Sequence, residues 1–236
     1  MDESEYQRMD AVEARMWWYR ALHARLLRML APVRGRVLDA GCGTGGFLAL
    51  LRARRPDLVC FGLEWAMPAA RRAAQKSGAT LVRGSVNMLP FAAGSLDAAV
   101  LADVLCHAAA EPQRALAELH RVLRPGGLLV VNMPAFAWLC SAHDRHVRNV
   151  RRQTARETAQ MLGGAGFAGV QAQYWNSLLL PMMIVQRKIL GRRQKNSDVA
   201  AFPPWLDAML YSVTELERGL PSLPAGGSVL ATAERT

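Results

Sequence analysis

The chain is poor in acid, in cysteine and in long apolar runs. It holds 19 Asp and Glu against 29 Lys and Arg, for a net charge of +10 over 236 residues. Its four cysteines, Cys42, Cys60, Cys106 and Cys140, are widely spaced and form no C-x-x-C pair. That excludes a disulfide framework and a cysteine-based metal site, and it suits a reducing compartment. No metal is expected. A membrane-spanning helix needs roughly 18 apolar residues in a row. The longest candidate, Leu178 to Val185, is eight residues and contains Pro181. The opening Met1-Asp2-Glu3-Ser4-Glu5 is polar and acidic, unlike a secretory signal. These absences lead to an expectation of a cytoplasmic globular protein.

The shortage of acid is local. Residues 142–195 carry ten basic and two acidic side chains, whereas residues 196–236 carry two basic and five acidic. A basic middle segment fits solvated helix faces. It also fits attraction to an anionic acceptor, an anionic membrane surface or nucleic acid.

Glycine is concentrated where it matters most. Val37-Leu38-Asp39-Ala40-Gly41-Cys42-Gly43-Thr44-Gly45-Gly46 is an apolar run that ends in an acid and enters a glycine loop, with a helix-like run from Phe47. Glycine lets a ligand approach the backbone, and a helix N-terminus beyond it favours anions. Gly41, Gly43 and Gly46 satisfy the dinucleotide pattern G-x-G-x-x-G. Asp39, Gly41, Gly43 and Gly45 satisfy D-x-G-x-G-x-G instead.

Periodicity gives the rest of the frame. One amphipathic helix is predicted over 12–30, then a strand from Val37 and strands at 59–64, 80–82, 96–101, 128–131, 169–174 and 228–233. Helices are predicted between them at 44–54, 69–76, 111–123 and 154–163, with further helical stretches at 178–190 and 205–216. Strands alternating with helices imply a parallel sheet with right-handed crossovers. The expected fold class is α/β: a Rossmann-like, seven-stranded, mostly parallel sheet with an antiparallel last strand and helices on both faces. The expected organisation is an N-terminal helical cap (1–35), a nucleotide-type core (36–175), a helical lid insertion (176–226) and a final core strand (227–236).

Five segments match one family in order. They are the glycine loop, Gly62-Leu63-Glu64, Arg83 to Phe91, Leu96 to His107, and Arg121-Val122-Leu123-Arg124-Pro125-Gly126-Gly127. Together they resemble the class I S-adenosylmethionine-dependent methyltransferases, most closely the ubiquinone/menaquinone-biosynthesis-like (type 11) group. Trp17-Trp18-Tyr19 and Ser141-Ala142-His143-Asp144 also look like this group. The resemblance implies S-adenosyl-L-methionine as cofactor and a small-molecule acceptor, anionic or lipid-like. It implies a cofactor site of Asp39, Gly41, Cys42, Gly43, Gly45, Glu64, Trp65, Ser85, Val86, Asn87 and Asp103. The loop amides around Gly41 to Gly45 are expected to receive the methionine carboxylate, and Glu64 the ribose hydroxyls. Leu63, Trp65, Met88 and Leu89 are expected to flank the adenine. Ser85 stands where the family commonly has Asp, with Asn87 as a substitute partner.

His107, and the pair His143 and Asp144, are the candidate catalytic groups. After Asp144 the chain departs from its relatives: Asn149 and Gln153 replace a His and a Tyr, so no catalytic role is carried to them. Arg148, Arg151 and Arg152 are candidate binders of an anionic acceptor. The apolar and basic stretch from Asn176 to Lys195 suits the roof of an acceptor pocket, a homodimer face or contact with a membrane surface. The rival functions are an RNA methyltransferase, an NAD-dependent oxidoreductase and a non-catalytic S-adenosylmethionine-binding protein. The fourth strand lacks the Asp/Asn-Pro-Pro-aromatic element of base methylation, which argues against nucleic acid as substrate.

Overall fold

The computed structural model describes residues 3–187 and 202–236. Seven strands form one sheet: β1 (Gly35–Ala40), β2 (Leu58–Glu64), β3 (Thr80–Arg83), β4 (Leu96–Ala102), β5 (Leu123–Pro134), β6 (Phe167–Trp175) and β7 (Ser228–Arg235). Their order is β3-β2-β1-β4-β5-β7-β6. Strands β1 to β5 pair in parallel, and β7 runs antiparallel between β5 and β6. The expected α/β class, strand number and antiparallel last strand are all present.

Chain direction reverses its spread at β1 and β4, the central pair, and the crevice outside their carboxyl ends is where open α/β sheets bind ligands. Asp39 sits at that end of β1, paired in register with Gly62 and Val100. Two cores fill the faces. On one face, Leu48 and Leu51 of α3 (Gly46–Arg54), Ala73 of α4 (Met67–Ser77), and Leu22 and Leu26 of α2 (Trp17–Met29) cover Val37, Cys60 and Val100. On the other, Leu116 and Leu119 of α5 (Pro112–Val122) and Leu162 of α7 (Ala155–Gly164) cover Leu38, Leu101 and Val131. The central strands are apolar on both sides because both sides are covered.

The N-terminal region differs from the single helix predicted over 12–30. It forms α1 (Glu3–Val12), a turn, and then α2. Met16 is extended, and the Trp17 N–H that opens α2 donates to Asp207 Oδ1 at 2.6 Å. Asp207 belongs to α9 (Pro204–Glu217), 190 residues away in sequence, so a local pattern could not reveal this cap. Helix α9 lies along α2, joined also by Arg25, which donates to the Thr214 carbonyl and stacks on Trp175. The helix predicted over 178–190 is present as α8 (Leu180–Val185), and its last three positions lie outside the described residues. Among the described residues no helix is long and apolar enough to cross a membrane.

Helix α3 begins at Gly46, two residues later than expected, because Gly45 caps it in the left-handed region at φ 86°. A Cβ at Gly45 would stand 2.6 Å from the Ala73 Cα. Gly45→Ala is therefore expected to lower stability by about 1–3 kcal/mol or more, from backbone strain plus a clash with α4. Urea unfolding measures this, and an unchanged midpoint would contradict the packing described.

Candidate functional site

A cavity of about 1190 Å³ opens at the carboxyl ends of β1 and β4, larger than the ~300–1,000 Å³ of a typical ligand pocket. Its floor is the glycine loop. Gly41, Gly43 and Gly45 all adopt positive φ, where other residues are strained. Gly41 and Gly43 line the cavity, whereas Gly45 serves the α3–α4 packing.

The loop amides are used differently from the sequence expectation. The N–H groups of Gly41 and Cys42 both donate to the Leu63 carbonyl, at 2.8 and 3.0 Å. That of Gly43 donates to Glu64 Oε2 at 2.9 Å, and that of Gly45 to the Cys42 carbonyl. Three of these amides fold the loop back onto β2 and the fourth closes a turn within it, so they are not a ready seat for a carboxylate. What the loop presents is bare backbone surface beside Glu64.

Four carboxyls face this end, Glu64, Asp39, Asp103 and Glu13. Glu64 is buried, and its Oε1 also accepts from the Ala66 N–H at 2.9 Å and the Tyr6 hydroxyl at 3.3 Å. Burial raises its pKa, and those donors oppose the rise. Asp39 is pushed up to about 7 by burial and by the neighbouring charges of Glu64 and Glu13. Asp103, also pushed up to about 7 by burial, sits at φ 55° and accepts from Asn132 Nδ2 at 2.8 Å. Trp175 Nε1 in turn donates to Asn132 Oδ1. Neutral or paired with a cation, such buried acids are stable; ionised and alone, they are costly.

The adenine-side residues separate. Trp65 is 69% exposed at the rim, and Leu63, Ser85, Val86 and Asn87 line the cavity. The Asn87 side chain bridges the Ala109 carbonyl and the Glu111 N–H, so it staples a turn to α5 and is a poor substitute for a missing Asp. Leu89 lies in the core and Met88 faces solvent, and neither lines the cavity.

The opposite end is basic and apolar. His107, His143 and Arg148 line it, with Trp17, Met182, Met183, Phe202 and Leu206. His107 Nδ1 lies 3.2 Å from the Val147 carbonyl, to which only a protonated nitrogen can donate. In the neutral ring Nε2 is then the acceptor, and burial lowers the pKa. Asp144 is almost wholly buried. Arg152 Nη2 donates to both its oxygens at 2.8 and 3.0 Å, and the Ser141 N–H donates to Oδ2 at the start of α6 (Ala142–His146). Arg187 stands 3.7 Å away. Arg152 holds its pKa below the ordinary value. A carboxylate so bound fixes a loop and is ill placed to take a proton. Arg151 donates to the carbonyls of His107 and Ala110. Of the three candidate anion-binding arginines, two therefore hold backbone and Asp144, and Arg148 is left at the cavity edge.

Sequence reasoning missed the α1 contribution. Tyr6, Met9 and Glu13 line the cavity, as does His23, whose pKa burial lowers to about 4. Tyr6, Met9 and Glu13 follow i, i+3, i+7 spacing, but Tyr6 and Met9 fall before the helix predicted over 12–30. Among the described residues no group of His, Cys, Asp or Glu is arranged to hold a metal.

The glycine loop, the acid at the tip of β2 and the cavity lie together at the carboxyl ends of β1 and β4, where open α/β sheets bind ligands. Residues 38–131 match the family model described as a methyltransferase domain. The chain is 33% identical over 157 residues to a malonyl-[acyl-carrier protein] O-methyltransferase of Herminiimonas arsenicoxydans, covering 64% of this chain and 59% of that one. It is 36% identical over 124 residues to the ubiquinone/menaquinone biosynthesis C-methyltransferase of Syntrophotalea carbinolica, covering 48% and 52%. The chain thus spans about half the length of the curated relatives it matches. A solved S-adenosylmethionine-dependent methyltransferase from Thermotoga maritima shares the fold, with a TM-score of 0.64 at 20% identity over 99% of this chain and 95% of that one. Over residues 38–131 the chain is thus similar to methyltransferase domains, the relatives named above among them.

The folded-state pKa of Asp103 near 7 lies above the ordinary carboxyl value near 4, so the folded protein holds a proton that the unfolded chain releases. That contribution to stability is lost as pH rises through 7. Asp103→Asn is expected to raise the thermal midpoint at pH 8 relative to wild type and to change it little at pH 5. A variant no more stable at pH 8 would contradict this assignment.

Proposed function

We propose that this protein is a small-molecule methyltransferase whose acceptor combines an apolar body with an anionic group. The observation that carries the reading is the division of one cavity. Four carboxyls, Asp39, Glu64, Asp103 and the Lys76-paired Glu13, gather at the glycine-loop end, and His107, His143 and Arg148 stand with apolar side chains at the other. The acidic end suits a cofactor that bears an ammonium, a sulfonium and two ribose hydroxyls. The basic, apolar end suits an amphiphilic anion.

S-adenosylmethionine supplies, when bound, a methyl group on a positive sulfur, open to in-line attack. The chain's own task is then approach geometry and exclusion of water. Glu64 takes the ribose hydroxyls; Asp39 and Asp103 face the cationic end. Leu63, Trp65, Ser85 and Val86 border the adenine, with Ser85 an uncharged hydrogen-bond partner there. His107, neutral at pH 7 with Nε2 as its acceptor, takes a proton from an acceptor that must lose one. His143 is the alternative base, and Asp144 and Arg152 fix the loop that carries it. Helices α8 and α9 roof the acceptor end through Met182, Met183 and Leu206. The inward commitment of Arg151 and Arg152 supports a small acceptor over nucleic acid, since neither offers its guanidinium to a phosphate backbone.

Calorimetry is expected to show S-adenosylhomocysteine binding and no response to NAD. Glu64→Ala should weaken binding at least about tenfold, the scale of hydrogen bonds to a charged group. Tight NAD binding, or unchanged affinity in the variant, would overturn the cofactor assignment. Methyl-labelled donor with a panel of amphiphilic carboxylates and phosphates tests the acceptor class. His107→Ala should lower turnover by about 10²–10⁴ where the acceptor loses a proton; equal rates would leave His107 a packing residue.

A further inference from the structure

Helix α1 is bolted across the cofactor end of the cavity. Its Tyr6 hydroxyl donates to Glu64 Oε1 at 3.3 Å. Met9 covers Gly43 so closely that a Cβ there would stand 2.7 Å from its terminal methyl carbon. Just beyond the helix, Glu13 accepts from the Thr44 hydroxyl at 2.8 Å and pairs with Lys76 of α4. Asp10 pairs with the same Lys76 and stands 3.7 Å from Arg72. On the far side Glu5 lies 3.4 Å from His146 Nε2 of α6. One helix face therefore meets the glycine loop, the end of β2, α4 and the acceptor-side loop.

Two consequences follow from this placement. A nucleoside bound at Glu64 would lie against α1, through Tyr6 and Met9. And the carboxylate that is to meet the ribose is aimed by three donors, the N–H groups of Gly43 and Ala66 and the Tyr6 hydroxyl. Two of these are backbone groups of the loop and of the residue before α4; only Tyr6 is a side chain, and it comes from α1. We propose that Tyr6 is a positioning residue that holds Glu64 in its ribose-binding orientation when α1 is closed, and that the Asp10–Glu13–Lys76 cluster is the latch that keeps α1 closed. The proposal rests on the cavity being the S-adenosylmethionine site.

The groups that bear on Glu64 are Tyr6 from α1, Asp39 from β1, Cys42 from the loop and Arg83, its register partner on β3. Burial raises the Glu64 pKa, and the Tyr6 hydrogen bond opposes that rise. Removing the hydroxyl raises it further. Affinity that needs the charged carboxylate is then lost at a higher pH as the solution is acidified.

The test uses the full chain and S-adenosylhomocysteine as probe. Tyr6→Phe should weaken binding about fivefold near pH 7.5, the scale of one ordinary net hydrogen bond, and move the acid-side loss of affinity to higher pH. Lys76→Met should speed probe release in stopped-flow, and Lys76→Arg should restore the wild-type rate. Lys76 is partly exposed and lies outside the cavity lining, so this arm stands even where Tyr6→Phe folds poorly. Wild-type affinity and pH profile in Tyr6→Phe would overturn the positioning role, and unchanged release in Lys76→Met would overturn the latch. Failure of the wild-type protein to bind the probe would overturn the cofactor reading itself.

Discussion

The carboxylate of Glu64 is where the parts of this structure meet. It ends β2, so the register of the sheet fixes its place. It accepts the Gly43 N–H and so decides how the glycine loop turns; it accepts the Ala66 N–H and so sets the approach to α4; it accepts the Tyr6 hydroxyl and so ties down α1. A buried charge is costly without such partners. The three donors offset the burial that raises the Glu64 pKa, and the Glu64 charge in turn helps to push the Asp39 carboxyl up. The same need explains why the loop amides turn inward: they satisfy β2 and Glu64 before they could serve any ligand.

The cavity inherits its polarity from this arrangement. Acids collect where β1, β2 and β4 end, because Asp39, Glu64 and Asp103 each close or follow a strand of the parallel set. Basic groups collect on the loop after β5, because Arg151 and Arg152 are needed there to hold carbonyls and Asp144. In the proposed reading a cofactor that is cationic at one end meets acid, and an anionic acceptor meets the imidazoles and Arg148, since Arg151 and Arg152 are already bonded within the protein. The two ends share one space, which is the geometry that direct group transfer requires.

Much of this was legible in the sequence. The apolar runs of β1, β4 and β5 are nearly continuous because both faces are covered, and Gly41, Gly43 and Glu64 stand at fixed distances along β1–α3–β2. What escaped depends on contacts distant in sequence. The break between α1 and α2 is set by Asp207, far along the chain. Asp144 reads as half of an acid–base pair until Arg152 is seen holding both its oxygens, and Asn87 reads as an adenine partner until its two bonds near α5 are seen. The glycine pattern told that backbone would lie bare, but not that its amides would already be bonded to Leu63 and Glu64.

The central claim is that Glu64, held by Gly43, Ala66 and Tyr6, seats the ribose of the methyl donor. A crystal structure of the protein grown with S-adenosylhomocysteine tests it most directly. The account predicts the nucleoside beneath α1, with both ribose hydroxyls on the Glu64 carboxylate and the sulfur facing the His107 end. A nucleoside bound away from Glu64, or a ribose that leaves its carboxylate untouched, would contradict it.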